Sequence, residues 1–159
     1  MNQLADWATV ASRIEKEDWA RDFYSNTKVG LDRWIETYHD DAGRQAGWYH
    51  DYNCEKCSGR LELNLENPGE HRCPSCDHLN TGVKLDNAWN NMYRGKANSN
   101  VLTSAVCYRL EKDEKYLAYI RSVLDFYARD YDLFDNEAVA KRFEGKIMNQ
   151  HLDDAVGMM

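Results

Sequence analysis

The chain has 159 residues, 43% of them apolar, and carries a formal charge of −7 from 20 Lys and Arg against 27 Asp and Glu. This length suits one domain or part of a larger protein, and nine Gly and two Pro beside five Trp and ten Tyr exclude a disordered linker or a fibre. The acidic balance argues against broad attraction to nucleic acid or anionic lipid, so neither nucleic acid nor a membrane is expected as a partner.

Nothing in the opening MNQLADWATVASRIEKED reads as a basic region followed by the apolar run of a secretory signal. No stretch nears the roughly 18 consecutive apolar residues of a membrane-spanning helix. The expected compartment is the cytoplasm, or the periplasm or exterior if Met1 is not the native start.

The pattern divides the chain into N-terminal helices (1–47), a small β insert (48–86) and further helical hairpins (87–159). In the first segment Leu4, Trp7, Ala11 and Ile14 suggest a short helix. Asp18 then reads as the N-cap of a helix of about five turns, whose stripe is Trp19, Phe23, Thr27, Leu31, Trp34 and Tyr38. Gly43 and Gly47 read as its C-cap and turn residues. In the second segment the period changes. Leu61, Leu63 and Leu65 alternate with polar residues as in a short strand, and Asn67-Pro-Gly reads as a turn. The third segment resumes helical spacing with Leu102, Ala105, Val106, Arg109 and Leu110, breaks at Glu111-Lys-Asp-Glu, and continues with Leu117, Ile120, Leu124, Tyr127 and Tyr131. Two antiparallel helices are expected. A last stripe of Leu152, Ala155, Val156 and Met159 has no stop signal, which reads as the N-terminal piece of a larger helical protein.

Cys54-Glu-Lys-Cys57 and Cys73-Pro-Ser-Cys76 are two C-x-x-C pairs separated by 15 residues. Each pair wraps a tight turn, so four thiolates can face one metal, and four sulfurs in a tetrahedron suit a structural zinc. The insert is too small to carry its own apolar core, and the metal would supply the missing folding energy. Iron in the same site and two disulfides are the alternatives. His71 and His78 flank the second pair as substitute ligands. Cys107 lies on a helix face and reads as a buried small hydrophobe. With four sulfurs bound the site has no open position and does not activate water.

Gln150 and His151 sit at the expected start of the last helix, where they could face a cleft and bind a ligand, with Asn149 as the cap. Trp48, Tyr49, Tyr52, Trp89 and Tyr93 cluster around the insert and read as its cover, or as stacking surfaces for sugar rings. Arg94 and Lys96 are the nearest cations for an acidic ligand. No G-x-S-x-G, P-loop, G-x-G-x-x-G or H-E-x-x-H occurs.

The stretches WYHDYNCEKCSGRLEL, HRCPSCDHLNTGVKLDNAW, LEKDEKYLAYIRSVLDFYARDY and GKIMNQHLDDAV together resemble the N-terminal part of heparinase II/III-like polysaccharide lyases, the oligo-alginate lyase branch among them. The resemblance covers about residues 34 to 159. It implies a mainly α protein: helical hairpins of an incomplete α/α toroid with a small zinc-ribbon β insert, followed in full-length members by a β-sandwich domain. The implied activity is β-elimination on a uronic-acid-containing polysaccharide or oligosaccharide. There Asn and His groups neutralise the carboxylate, a Tyr or His base takes the carbon-5 proton, and a Tyr acid protonates the leaving oxygen. Those residues are expected beyond residue 159, so the chain alone is expected to be inactive, with Gln150 and His151 as its substrate-binding contribution. Two positions depart from the family's pattern: Asp77 stands where such knuckles favour Gly, and Gly157 where Trp is common. The rival function is a free-standing zinc-ribbon module for protein interaction or structure. Nucleic acid is a poor partner for it, because Lys56, Arg60, Arg72 and Lys84 face seven acids between residues 48 and 86.

Overall fold

The computed structural model describes residues 6–65, 67–134, 146–148 and 155. Over these the protein is mainly helical: α1 (Trp7–Lys16), α2 (Asp18–Thr37), α3 (Val83–Glu111) and α4 (Glu114–Asp130), with short strands β1 (His71–Arg72) and β2 (Leu79–Asn80) and single 3-10 turns at Tyr49–Asp51 and Tyr131–Leu133. No helix among the described residues is long and apolar enough to cross a membrane.

Asp6 caps α1, its carboxylate accepting from the Ala8 and Thr9 N–H groups and the Thr9 hydroxyl. One residue, Glu17, separates α1 from α2 and serves as the α2 N-cap, so Asp18 is not the cap but the first helical residue. There its carboxylate takes the Arg21 guanidinium at 2.7 Å and sits favourably at the positive end of the helix. The α2 stripe is only half buried: Leu31 and Trp34 are inside, whereas Trp19 and Phe23 are 63% and 71% exposed. α2 ends with Tyr38 in extended conformation, and no glycine caps it. Gly47 serves a different purpose, since its N–H donates to the Asn87 carbonyl at 2.6 Å and a Cβ there would lie 2.8 Å from the Asn87 Cβ.

The chain forms two compact units, Met1–His39 with Asn100–Leu124, and Asp40–Ser99 with Asp125–Met159. The first centres on Leu31, Cys107 and Tyr116, with Tyr24, Ile35 and Tyr108 packed against them. Cys107 is the buried small hydrophobe its spacing suggests. Three of the large aromatics here place their polar tips on partners: Trp34 Nε1 donates to the Tyr119 hydroxyl at 2.8 Å, Tyr116 to Asp32 at 3.0 Å and Tyr24 to Glu111 at 2.8 Å. Burial, then the adjacent carboxylate, pushes the Tyr24 and Tyr116 hydroxyls upward, so they stay neutral donors.

This aromatic core displaces the stripes read from the sequence. On α4 the buried line is Tyr116, Tyr119, Val123 and Tyr127, while Leu124 is 54% exposed. On α3 it is Asn100, Ser104 and Cys107, with Leu102 66% exposed. Tyr and Trp cover more area than Leu and bury without penalty once their polar atoms are paired, so they take the inside. The break between the two helices falls where Glu111-Lys-Asp-Glu places it. Lys112 turns the chain at φ 60, and the Asp113 carboxylate accepts from Lys115 N–H at 3.0 Å.

In the second unit α3 begins at Val83 and is buried on nearly all sides, with Ala88, Trp89, Tyr93 and Ala97 inside beside the polar Asn87, Asn90, Asn91 and Arg94. A helix buried all round by a mixture of aromatics, alanines and amides shows no single apolar stripe, which is why this half of α3 has no clear period in the sequence. Arg94 is fully buried. Its guanidinium donates to both Asp40 carboxylate oxygens, to the carbonyls of Asp41 and Arg44, and to the Ile147 carbonyl at 2.7 Å, while its flat face lies 4.6 Å from the Phe134 ring centre. One side chain thus ties loop 40–44 and residues 134 and 147 to α3. Arg94→Met leaves Asp40 buried and unpaired and should cost about 3–5 kcal/mol in urea unfolding. A loss under 1 kcal/mol would show that the loop is held by something else.

Candidate metal centre

The sulfur cluster is assembled from two copies of one turn. In the first, Ser58 N–H donates to the Cys54 carbonyl at 2.8 Å, and in the second Asp77 N–H donates to the Cys73 carbonyl at 2.9 Å. Cys54 N–H then reaches the Gly59 carbonyl, and Cys73 N–H the His78 carbonyl. Ser58 and Asp77 occupy equivalent positions and both have φ 57, in the left-handed region. Asp tolerates this better than most residues, and its carbonyl and carboxylate both accept from Arg72. The residue that departs from the Gly preference is therefore accommodated by a local bond.

The strand expected over Leu61, Leu63 and Leu65 does not form. Leu61 is buried and Leu65 is 42% exposed, but among the described residues no strand lies beside them, and the only pairing there is the single bridge Asn53–Arg60. The antiparallel strands instead flank the second cysteine pair, with His71 opposite Asn80 and Arg72 opposite Leu79.

All four Sγ atoms lie within 4.8 Å of one another. Cys54 to Cys76 is 3.6 Å and Cys57 to Cys73 is 3.5 Å. A disulfide needs about 2.05 Å, and all the cysteines are free thiols. A tetrahedral zinc with Zn–S near 2.3 Å sets its sulfurs about 3.8 Å apart, so the spacing fits four-sulfur coordination. The electrostatics agree in direction. Burial raises the Cys54 thiol, but the N–H groups of Cys57 and Lys56 outweigh it and bring it to about 6. Cys73 is likewise lowered against its burial by the N–H groups of Ser75 and Cys76. At Cys57 the Gly59 N–H pulls downward, yet the sulfurs of Cys76 and Cys73 push it up to about 12. Four thiols this close cannot all ionise without a cation among them.

Neither histidine is a substitute ligand. His71 is buried, with Nδ1 2.8 Å from the Tyr52 hydroxyl and Nε2 2.8 Å from Asp86 Oδ1, so both nitrogens are engaged. His78 Nε2 pairs with Glu55 at 3.0 Å. Tyr52, Trp89 and Tyr93 are buried beside the insert: the Tyr52 ring meets His71 edge to face, and Trp89 stacks on Tyr93 and donates its Nε1 to the Asn64 carbonyl at 2.8 Å. These rings pack inside the protein as the cover of the insert. Arg94 is no site for an acidic ligand either, because its donors are taken up within the protein, while Lys96 is exposed. Gln150 and His151, like Asn149 and Gly157, lie outside the described residues.

Three features were not read from the sequence. Asn80 joins the two turns, Asp86 anchors His71, and Arg44, Asn87 and Asn90 line a cavity of about 340 Å³ beside Pro68, Gly69 and Trp89. An Asn in a strand position, where amides are disfavoured, was the signal available for Asn80. No family model, curated protein or solved structure matches the chain.

Ser58 makes the cleanest test of the turn geometry, because its side chain is exposed and no hydrogen bond of it would be lost. Ser58→Gly removes left-handed strain and should raise stability by about 0.5–1 kcal/mol in thermal unfolding. A destabilised variant would mean that the strained turn does not persist in solution.

Proposed function

We propose that Cys54, Cys57, Cys73 and Cys76 hold one zinc ion as a structural clip, and that the chain is the N-terminal scaffold of a heparinase II/III-like polysaccharide lyase. The observation that carries the first part is the cluster of four free thiols on two matched turns. Bound there, zinc supplies folding energy and no reactive water, since four sulfurs complete its shell. The cytoplasm, the compartment proposed for the chain, keeps such thiols reduced.

The second part rests on the resemblance of the residues, and the structure adds support at one place. In the segment Asp86-Asn-Ala-Trp89, Asp86 holds His71 and Trp89 holds Asn64, so the motif that follows the cysteines is the one that fastens the insert to α3. Fastening of this kind favours a scaffold over a free-standing zinc-ribbon module. On this reading α3 and α4 are a hairpin of an incomplete α/α toroid, and Gln150 and His151 contribute to the substrate cleft. The rest of the toroid and a β-sandwich domain complete the enzyme. The substrate is a uronic-acid polysaccharide or oligosaccharide cleaved by β-elimination, and the acid, the base and the carboxylate-neutralising groups come from outside these residues.

Elemental analysis of reduced, purified protein should give one zinc per chain. A strong chelator should then abolish the near-ultraviolet signal of the insert's aromatics while part of the helical signal survives. Absence of stoichiometric metal would end the zinc reading. Incubated with alginate, the purified chain should release no unsaturated uronate, because it lacks a proton-transfer route. Steady product formation would overturn the scaffold reading and leave the metal reading untouched.

A further inference from the structure

Each cysteine turn closes on its own backbone, so neither sets its distance from the other. We infer that Asn80 is the positioning residue that holds the two halves of the sulfur cluster at metal-binding separation, an inference that rests on the zinc reading above. Its side chain is completely buried. Asn80 Oδ1 accepts from Glu55 N–H in the first turn at 2.9 Å, while Nδ2 donates to the carbonyls of His71 at 2.9 Å and His78 at 3.1 Å, on either side of the second turn. The His78 carbonyl also accepts from Cys73 N–H, so the amide grips the same atom that closes the second turn. Apart from the sulfur contacts themselves, the two turns are also joined by Glu55 and His78, whose side chains are 70% and 33% exposed, so that link is correspondingly weak.

A primary amide is the one short side chain that does this. It offers an acceptor and two donors from one planar group. Aspartate would keep the acceptor, but it has no donor for the two carbonyls and would add a negative charge beside four sulfurs. Alanine would leave the Glu55 N–H and the His71 carbonyl without these partners. In both variants the metal has to order the two halves as it binds, and affinity falls.

The test is zinc affinity of the whole chain, measured by competition with a chromophoric chelator. Asn80→Ala and Asn80→Asp should each bind zinc about 10–100-fold more weakly than the parent, still at one ion per chain. The d–d absorption of the cobalt(II) form should shift, and the Glu55 amide should lose its protection from hydrogen exchange. Trp34→Phe, a core change outside the insert, is the control for general destabilisation and should leave affinity unchanged. Glu55→Pro approaches the same bond from the other side. Pro74 occupies the equivalent place in the second turn, so the turn tolerates the ring, and beyond the carboxylate that Glu55→Ala also removes, the variant lacks the N–H that donates to Asn80. It should weaken zinc by about tenfold while Glu55→Ala does not, which keeps the inference testable even if the Asn80 variants do not fold. Parent-like affinity in Asn80→Ala or in Glu55→Pro would overturn it, as would an equal loss in Trp34→Phe. If the parent itself takes up no metal, the zinc reading fails first and the positioning role goes with it.

Discussion

Four sulfur atoms held within 4.8 Å of one another are the constraint on which the second unit of this protein depends. As thiolates they repel, and as thiols they are weak donors with little to offer one another. The insert around them has two strands of two residues each and a single bridge, far too little ladder to stand alone. Its backbone nevertheless aims N–H groups at Cys54 and Cys73, which favours the ionised form. An arrangement that stabilises negative sulfur and then crowds it makes physical sense when a cation sits in the middle.

From that cluster the order spreads outward through single, well-paired side chains. Asn80 joins the two turns, and His71, engaged at both ring nitrogens, passes the insert's position to Asp86 on the first turn of α3. Further along the same helix, Arg94 collects loop 40–44 and the Ile147 carbonyl. The first unit uses the same device with aromatics, the Trp34 N–H resting on Tyr119 and the Tyr116 hydroxyl on Asp32. Both units therefore rely on polar specificity inside, where a missing partner costs more than a missing methyl.

That strategy decides what the sequence reveals. The cysteine pairs were legible because metal-binding turns need fixed residues at fixed spacing. The four helices were largely legible too, from the break at Glu111-Lys-Asp-Glu and a general 3.6 period, although the caps of α2 were misplaced. What failed was the choice of buried face. Leu102 and Leu124 carry the strongest apolar signal but lie outside, while Tyr116, Tyr119 and Ser104 lie inside. Periodicity weighs hydrophobicity and cannot see that a tyrosine 85 residues from a tryptophan will satisfy its N–H. The same blindness hid the first half of α3, where amides and a guanidinium are buried among aromatics and alanines on nearly every side, and it turned the alternation at Leu61, Leu63 and Leu65 into a strand that has no neighbour to pair with. Long-range hydrogen bonds leave no local trace.

The central claim is that the four cysteines together bind one metal ion, and X-ray absorption at the zinc edge on the reduced protein as purified addresses it directly. The account predicts a first shell of four sulfurs at about 2.3 Å with no nitrogen or oxygen. A shell with fewer than four sulfurs, or one in which imidazole replaces a thiolate, would contradict it, because His71 and His78 are both engaged elsewhere.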